Sequence, residues 1–203
     1  MTLPWLISAA LAALYGIAFA ADTGHSWLRT AIKTGSVAGL AGIAAGAGAP
    51  PVIIAGLALG ALGDLLLSRP GERAFLAGMA AFAAGHIAYA LAFGPGLAPL
   101  WLLAGLVLLA ASTEIWLAPH TGPLRWPVRA YVLVICLMAA LAAARPEPLL
   151  RVGAALFVTS DLLLALALFV TQEPARRRLL SWLLWPAYWG GQALILLAFL
   201  PFP

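Results

Sequence analysis

The sequence predicts an all-α fold, a polytopic membrane helix bundle of about eight transmembrane helices. Three observations predict it. The chain is 64% hydrophobic and only 9% charged, whereas a soluble domain carries roughly 25% charged residues. Its mean hydropathy is +1.03. Apolar runs near the roughly 20 residues a bilayer needs repeat from end to end, separated by prolines and short basic stretches. Helices are the default because lipid satisfies no open backbone group. Residues 1–203 read as a single transmembrane helical domain without a soluble part.

The spans are expected at about Leu3–Ala21, Thr30–Gly46, Val52–Ser68, Glu72–Phe93, Ala98–Leu117, Val128–Ala144, Leu149–Val170 and Leu179–Leu200. The first lacks a basic leader region and a clear cleavage site, so it reads as a span and not a signal peptide. The second carries Gly35, Gly39, Gly42 and Gly46 on one face, a pattern that lets helix backbones approach closely. The second and third are joined only by Ala47–Pro51, and Pro70, Pro95, Pro99, Pro119, Pro123, Pro146 and Pro174 mark the later joints. Trp5, Trp27, Trp101, Trp116 and Trp126 fall near span ends, where interfacial anchors sit.

Charge orients the bundle. Arg29, Lys33, Arg69, Arg73, Arg125, Arg129, Arg176, Arg177 and Arg178 flank the loops after spans 1, 3, 5 and 7, which leaves Arg145 and Arg151 of the 11 basic residues for the other face. By the positive-inside rule those odd-numbered loops are cytoplasmic and both termini lie outside the cytoplasm. The expected location is a bacterial inner (plasma) membrane. A net charge of +4, scattered over loops, excludes a nucleic-acid surface, and the single cysteine, Cys136, excludes an internal disulfide. The oligomeric state is not specified by the sequence.

The polar residues inside this apolar chain carry the functional signal. Asp161 lies in the middle of the seventh span, and Asp64 lies near the cytoplasmic end of the third. A carboxylate at the bilayer centre costs about 2.5–3.5 kcal/mol on insertion scales, so both are expected to face protein or a wet cavity. GDLLL at 63–67 is echoed by SDLLL at 160–164, on spans that run parallel, as a duplication of four helices would leave them. His86 and Tyr89 lie one turn apart in the fourth span. Tyr188 and Gln192 share a face of the eighth. Lys33, Glu114 and Tyr131 lie near the cytoplasmic ends of spans 2, 5 and 6. Most of these groups fall in the cytoplasmic half, as they would around a cavity opening inward. There is no HExxH, CxxC or GxSxG motif, and one intramembrane histidine is poor support for zinc, which usually takes three or four protein ligands. Thr159 and Ser160 adjoin Asp161, but no histidine is placed in sequence to act as their base.

GDLLL at 63–67, the pattern Phe75, Gly78, Met79, Phe82, Gly85, His86, Tyr89, the run GAALFVTSD at 153–161 and the closing YWGGQALI at 188–195 together resemble the YhhN/TMEM86 family. Lys33 matches that family's lysine in the second span, although Thr34 stands where a proline often follows. The resemblance implies about eight spans and a lysoplasmalogenase-like hydrolase. Such an enzyme cleaves the vinyl ether bond of a lysoplasmalogen, a lyso-ether phospholipid, to a fatty aldehyde and a glycerophospho-base. It carries over Asp64 and Asp161 as the catalytic pair.

Vinyl ether hydrolysis needs a proton donor to carbon, a negative charge near the resulting oxocarbenium ion, and a base for water. Two carboxyls around one pocket can share these tasks, because close together they do not both ionise readily. On this reading the deeper Asp161 keeps its proton as the acid and Asp64, nearer water, is the base, with exchange of roles open. His86, Tyr89, Glu114, Tyr131, Ser160, Tyr188 and Gln192 orient the carboxyls or hold the substrate hydroxyl, and Lys33 meets the lipid phosphate. No metal or organic cofactor is required. The partners are a lysophospholipid and the bilayer itself. The alternative function is a proton-coupled transporter of a lipid or small amphiphile, since membrane carboxylates and a histidine also suit proton relay.

Overall fold

A computed structural model describes residues 2–22 and 24–200. Among them the chain forms eight α-helices and no strand: α1 (Thr2–Ala18), α2 (Trp27–Gly46), α3 (Pro51–Leu67), α4 (Glu72–Phe93), α5 (Leu100–Trp116), α6 (Arg125–Ala143), α7 (Pro148–Ala165) and α8 (Pro174–Phe199). Two single 3₁₀ turns, Ala118–His120 and Gly122–Leu124, join α5 to α6, and a π-helical segment, Leu166–Val170, prolongs α7. The segments Glu72–Phe93, Leu100–His120, Gly122–Ala143, Pro148–Val170 and Pro174–Phe199 are each long and apolar enough to cross a bilayer, while α1 and α3 are apolar but have 17 residues each. The protein is a multi-pass integral membrane protein.

Local chemistry sets the helix ends. Ser26 caps α2, its Oγ accepting from the Arg29 N–H at 3.1 Å. Proline opens α3, α7 and α8, where its missing N–H costs nothing. The π segment opens one turn beyond Asp161; such insertions re-aim the side chains that follow and are frequent at functional sites.

Consecutive helices pack as antiparallel pairs, α1 on α2, α2 on α3, α3 on α4 and, most extensively, α7 on α8. Helix α8 closes the bundle against α1, α2 and α3, and α6 bridges α4 and α7. Helix α5 leans mainly on α6. The core contains Leu40, Ile53, Leu57, Phe93, Met138, Leu150, Phe157, Ile195 and Leu196, whereas Leu3, Ile17, Leu97, Leu100, Trp101, Leu108 and Ile115 point outward, as lipid-facing residues do. The loops α1–α2, α3–α4 and α5–α6 meet at one end of the bundle, where Arg69 reaches Ser26 and Thr30 and one pocket is lined by His25, Arg69, Pro123 and Leu124. This is the basic end.

Close helix approach is not confined to the glycine face of α2. On α2, Gly39 packs on Ser8 of α1, where a Cβ would lie 3.1 Å from the Ser8 Cβ and 3.7 Å from its Cα, Gly35 meets the Leu11 side chain, and Gly42 and Gly46 face open space. The tight crossing is α7 on α8. A Cβ on Gly191 would lie 2.9 Å from the Gly153 carbonyl oxygen and 3.1 Å from the Phe157 nitrogen. Backbone atoms cannot rotate aside, so Gly191→Ala is expected to destabilise the protein by about 1–3 kcal/mol, the usual range for overpacking. A lowered thermal midpoint in detergent checks this, and an unchanged midpoint would mean that the two helices separate at no cost.

Candidate active site

Helices α2, α3, α4, α6, α7 and α8 bring eight of the ten expected site residues into two hydrogen-bonded clusters. The first surrounds Asp64, whose side chain is 1% exposed. Lys33 Nζ lies 2.9 Å from Asp64 Oδ1, and the Tyr188 hydroxyl donates to Asp64 Oδ2 at 2.8 Å. Tyr188 in turn accepts from Gln192 Nε2 at 3.4 Å, and the Tyr89 hydroxyl donates to Gln192 Oε1. Four helices are thereby tied by one chain of polar contacts. Glycines of α3 make the space for it. A Cβ on Gly56 would lie 2.4 Å from the Tyr89 ring, and one on Gly60 2.5 Å from Gln192 Nε2. The glycine face that matters is therefore on α3, one turn apart along the helix that carries Asp64.

The second cluster surrounds Asp161. Its Oδ2 accepts from the Tyr131 hydroxyl at 2.7 Å and lies 3.2 Å from His86 Nε2, which is also 3.0 Å from the Tyr131 oxygen. A three-way contact joins α4, α6 and α7. The Asp161 side chain is 15% exposed, and Oδ1 takes no hydrogen bond among the described residues. Phe157 separates the clusters, its ring 4.6 Å from His86 and 5.4 Å from Tyr188.

A cleft with a cavity volume of about 100 Å³, open in part to the exterior, lies against Asp161. Its walls are Phe75, Met79 and Phe82 of α4, Leu109, Thr113 and Trp116 of α5, Val128, Tyr131, Val132, Ile135 and Cys136 of α6, and Val158, Asp161, Leu162, Leu164 and Ala165 of α7, with Leu168 and Phe169 of the π segment. Asp161 is the one acidic group among the residues that line it, and Tyr131 lies beside it. The arrangement offers a single carboxyl, backed by a phenol and an imidazole, at the wall of an apolar slot. Sequence reasoning missed the roles of Phe157, Thr113 and Trp116, because an apolar residue within an apolar span carries no sign of which way it faces.

The geometry bears on four expectations. The two aspartates lie in separate hydrogen-bonded clusters. No hydrogen bond joins them among the described residues, and Asp64 does not line the cleft, because Lys33 and Tyr188 occupy its two oxygens. Lys33, expected at a lipid phosphate, is held inside by Asp64. Glu114 is 41% exposed and is claimed by Arg125 and Arg129 on the surface, away from the cleft that its neighbour Thr113 lines. Ser160 is buried and donates back to the Phe157 carbonyl at 2.7 Å, so its hydroxyl is spent within its own helix. Among the described residues no group of three or more His, Cys, Asp or Glu side chains is placed to hold a metal ion.

Comparison with known proteins bears on this site. Residues 28–199 match the model of the YhhN family. The chain is also 35% identical over 159 residues to the lysoplasmalogenase TMEM86A of Bos taurus, an alignment covering 72% of this chain and 64% of that relative's length. No solved structure matches.

Proposed function

The chain belongs to the YhhN family, and from that premise we propose that it is a lysoplasmalogenase-like ether-bond hydrolase. Its substrate is a lysophospholipid whose vinyl ether bond is cleaved at Asp161. One observation carries the reading: an apolar cleft meets a single, largely shielded carboxyl, while the bovine relative is named for the same class of activity.

The residues divide the work as follows. Asp161 is the proton donor, with Oδ1 free toward the cleft and Oδ2 held by Tyr131 and His86. The proton goes to the vinyl carbon remote from the ether oxygen, which gives an oxocarbenium ion and leaves Asp161 as a carboxylate beside it. Fixed groups aimed at developing charge in a dry site are the largest catalytic contribution in most enzymes. Water adds to the cationic carbon and returns a proton to Asp161. The hemiacetal then collapses to a fatty aldehyde and the free glycerol hydroxyl, with no net proton consumed. One carboxyl thus serves first as acid and then as base. The second aspartate acts at a distance, as the anion that fixes Lys33, Tyr188 and the helices that carry them.

Tyr131 donates directly to the reacting carboxyl, and hydrogen bonds to charged groups contribute about 1.5–3 kcal/mol. Tyr131→Phe is therefore expected to lower kcat by roughly 10- to 150-fold with little change in KM, measured as aldehyde release from a 1-alkenyl lysophospholipid in detergent. Hydrolysis in detergent, where no gradient exists, also separates the enzyme from a proton-coupled transporter. A purified protein that releases no aldehyde from any vinyl ether lipid would defeat the reading.

The proposed location is a bacterial inner membrane with the basic end in the cytoplasm and both termini outside it, from the distribution of the 11 basic residues. A periplasmically active reporter fused after Pro203, which lies outside the described residues, is expected to be active. Activity of a cytoplasmic reporter at the same point would invert the orientation.

A further inference from the structure

Resting on the vinyl ether reading, we infer that the open pocket at the basic end is the subsite for a zwitterionic phospho-amine head group, with Arg69 for the phosphate and Glu72 for the ammonium. Three observations carry the inference. The pocket is lined by His25, Arg69, Glu72, Pro123 and Leu124, and it shares Leu67 and Phe75 with the cleft, so the two spaces adjoin. A lyso-lipid with its chain in the cleft and its bond at Asp161 places its head group toward one end. Since Lys33 is committed to Asp64, the phosphate needs another cation.

Arg69 is built for that part. Its guanidinium stacks on Trp27, with Cζ 3.9 Å from the ring centroid, and its Nη2 is anchored to Ser26 and Thr30. It forms no ion pair among the described residues, and its buried Nε has no hydrogen-bond partner there. An arginine already fixed on one edge loses little side-chain freedom when it takes an anion, and its planar fork matches phosphate geometry. His25 is fixed next to it, Nδ1–H donating to the Ser68 carbonyl at 3.3 Å. Glu72 lines the same pocket from the first turn of α4 and likewise has no ion-pair partner among the described residues. Arg69 and Glu72 thus stand close in the chain, on one pocket, without neutralising each other. A ligand that carries both charges satisfies both.

The experiment compares three vinyl ether substrates with one chain: 1-alkenyl-glycerophosphoethanolamine, 1-alkenyl-glycerophosphate and 1-alkenyl-glycerol. Arg69→Gln is expected to raise KM about tenfold or more for the two phosphate-bearing substrates relative to the alkenyl glycerol, with the effect on KM and not on kcat. Glu72→Gln, an exposed position unconnected with Trp27, is expected to raise KM for the ethanolamine substrate alone. Equal effects on all three substrates, or none, would overturn the subsite. Competition provides a second arm: glycerophosphoethanolamine is expected to inhibit the wild-type protein at concentrations where inorganic phosphate does not, and equal inhibition would reduce the site to a bare anion site. Binding of the uncleavable 1-alkyl-glycerophosphoethanolamine and 1-alkylglycerol to wild type and both variants is read separately. A preference for the phospholipid that Arg69→Gln removes supports the subsite even if no vinyl ether is cleaved, so failure of the activity and failure of the subsite are distinguishable.

Discussion

Asp161→Asn is expected to lower aldehyde release by about 10²–10⁴-fold, the usual contribution of a positioned general acid. The amide fills the same space and can still accept from Tyr131, so the fold and the cleft should survive. What it cannot do is deliver a proton to carbon or sit as an anion beside the oxocarbenium ion. The loss should fall on kcat, because an interaction made only in the transition state leaves ground-state binding intact. Asp161, Tyr131 and His86 meet at one carboxylate oxygen and act as a unit, so adding Tyr131→Phe to Asp161→Asn should cost little more. Aldehyde release and thermal midpoint, measured on the same preparation, decide the matter. An Asp161→Asn protein that keeps most of its turnover would remove Asp161 from the chemistry.

The largest effect on stability is expected at the other aspartate. Lys33 and Asp64 form an ion pair with side chains 17% and 1% exposed. Removing one partner of such a pair strands the other charge, which costs about 3–5 kcal/mol, whereas replacing both with apolar residues of similar volume is often neutral or better. Asp64→Leu and Lys33→Met should each lower the thermal midpoint sharply, and the double variant should recover most of the loss. Strongly non-additive midpoints in this cycle would be the signature of the pair; simple addition would mean that the two residues do not interact. Activity adds a further discrimination. Asp64→Asn should lose turnover in step with its loss of stability. A fully stable Asp64→Asn protein with no turnover would return Asp64 to the reacting atoms, and with it the shared acid–base dyad.

The eight helices were legible because the sequence alternates apolar runs with prolines and arginines. The fourth span, Glu72–Phe93, has the same bounds in sequence and structure. The eighth begins at Pro174 instead of Leu179, because Arg176, Arg177 and Arg178 are good helix formers and the helix continues past the apolar stretch. The π segment was not legible, since an i→i+5 turn leaves no residue pattern. The residues of the site were legible as polar outliers in apolar spans, but their grouping was not. Which faces meet depends on helix rotation, and a helix that is apolar nearly all round does not reveal its buried side. The phenylalanine between the two aspartates, Phe157, is indistinguishable in sequence from any lipid-facing one. One grouping was within reach. Lys33 and Asp64 are opposite charges near the same end of consecutive spans, and intramembrane charges pair with one another. Reading Lys33 against a substrate phosphate obscured the simpler partner.

That pair also bears on how the chain reaches its bilayer. Helices α2 and α3 are consecutive, joined by Ala47–Pro50, and α2 carries four glycines besides Arg29 and Lys33. Released alone from the insertion machinery, α2 would have to bring an unpaired lysine into lipid. Once α3 is synthesised, its last turn supplies the countercharge within a single hairpin. The two helices therefore suit integration as one unit during biogenesis, and α2 should remain unintegrated in a nascent chain arrested before Asp64 but be integrated in one that includes it.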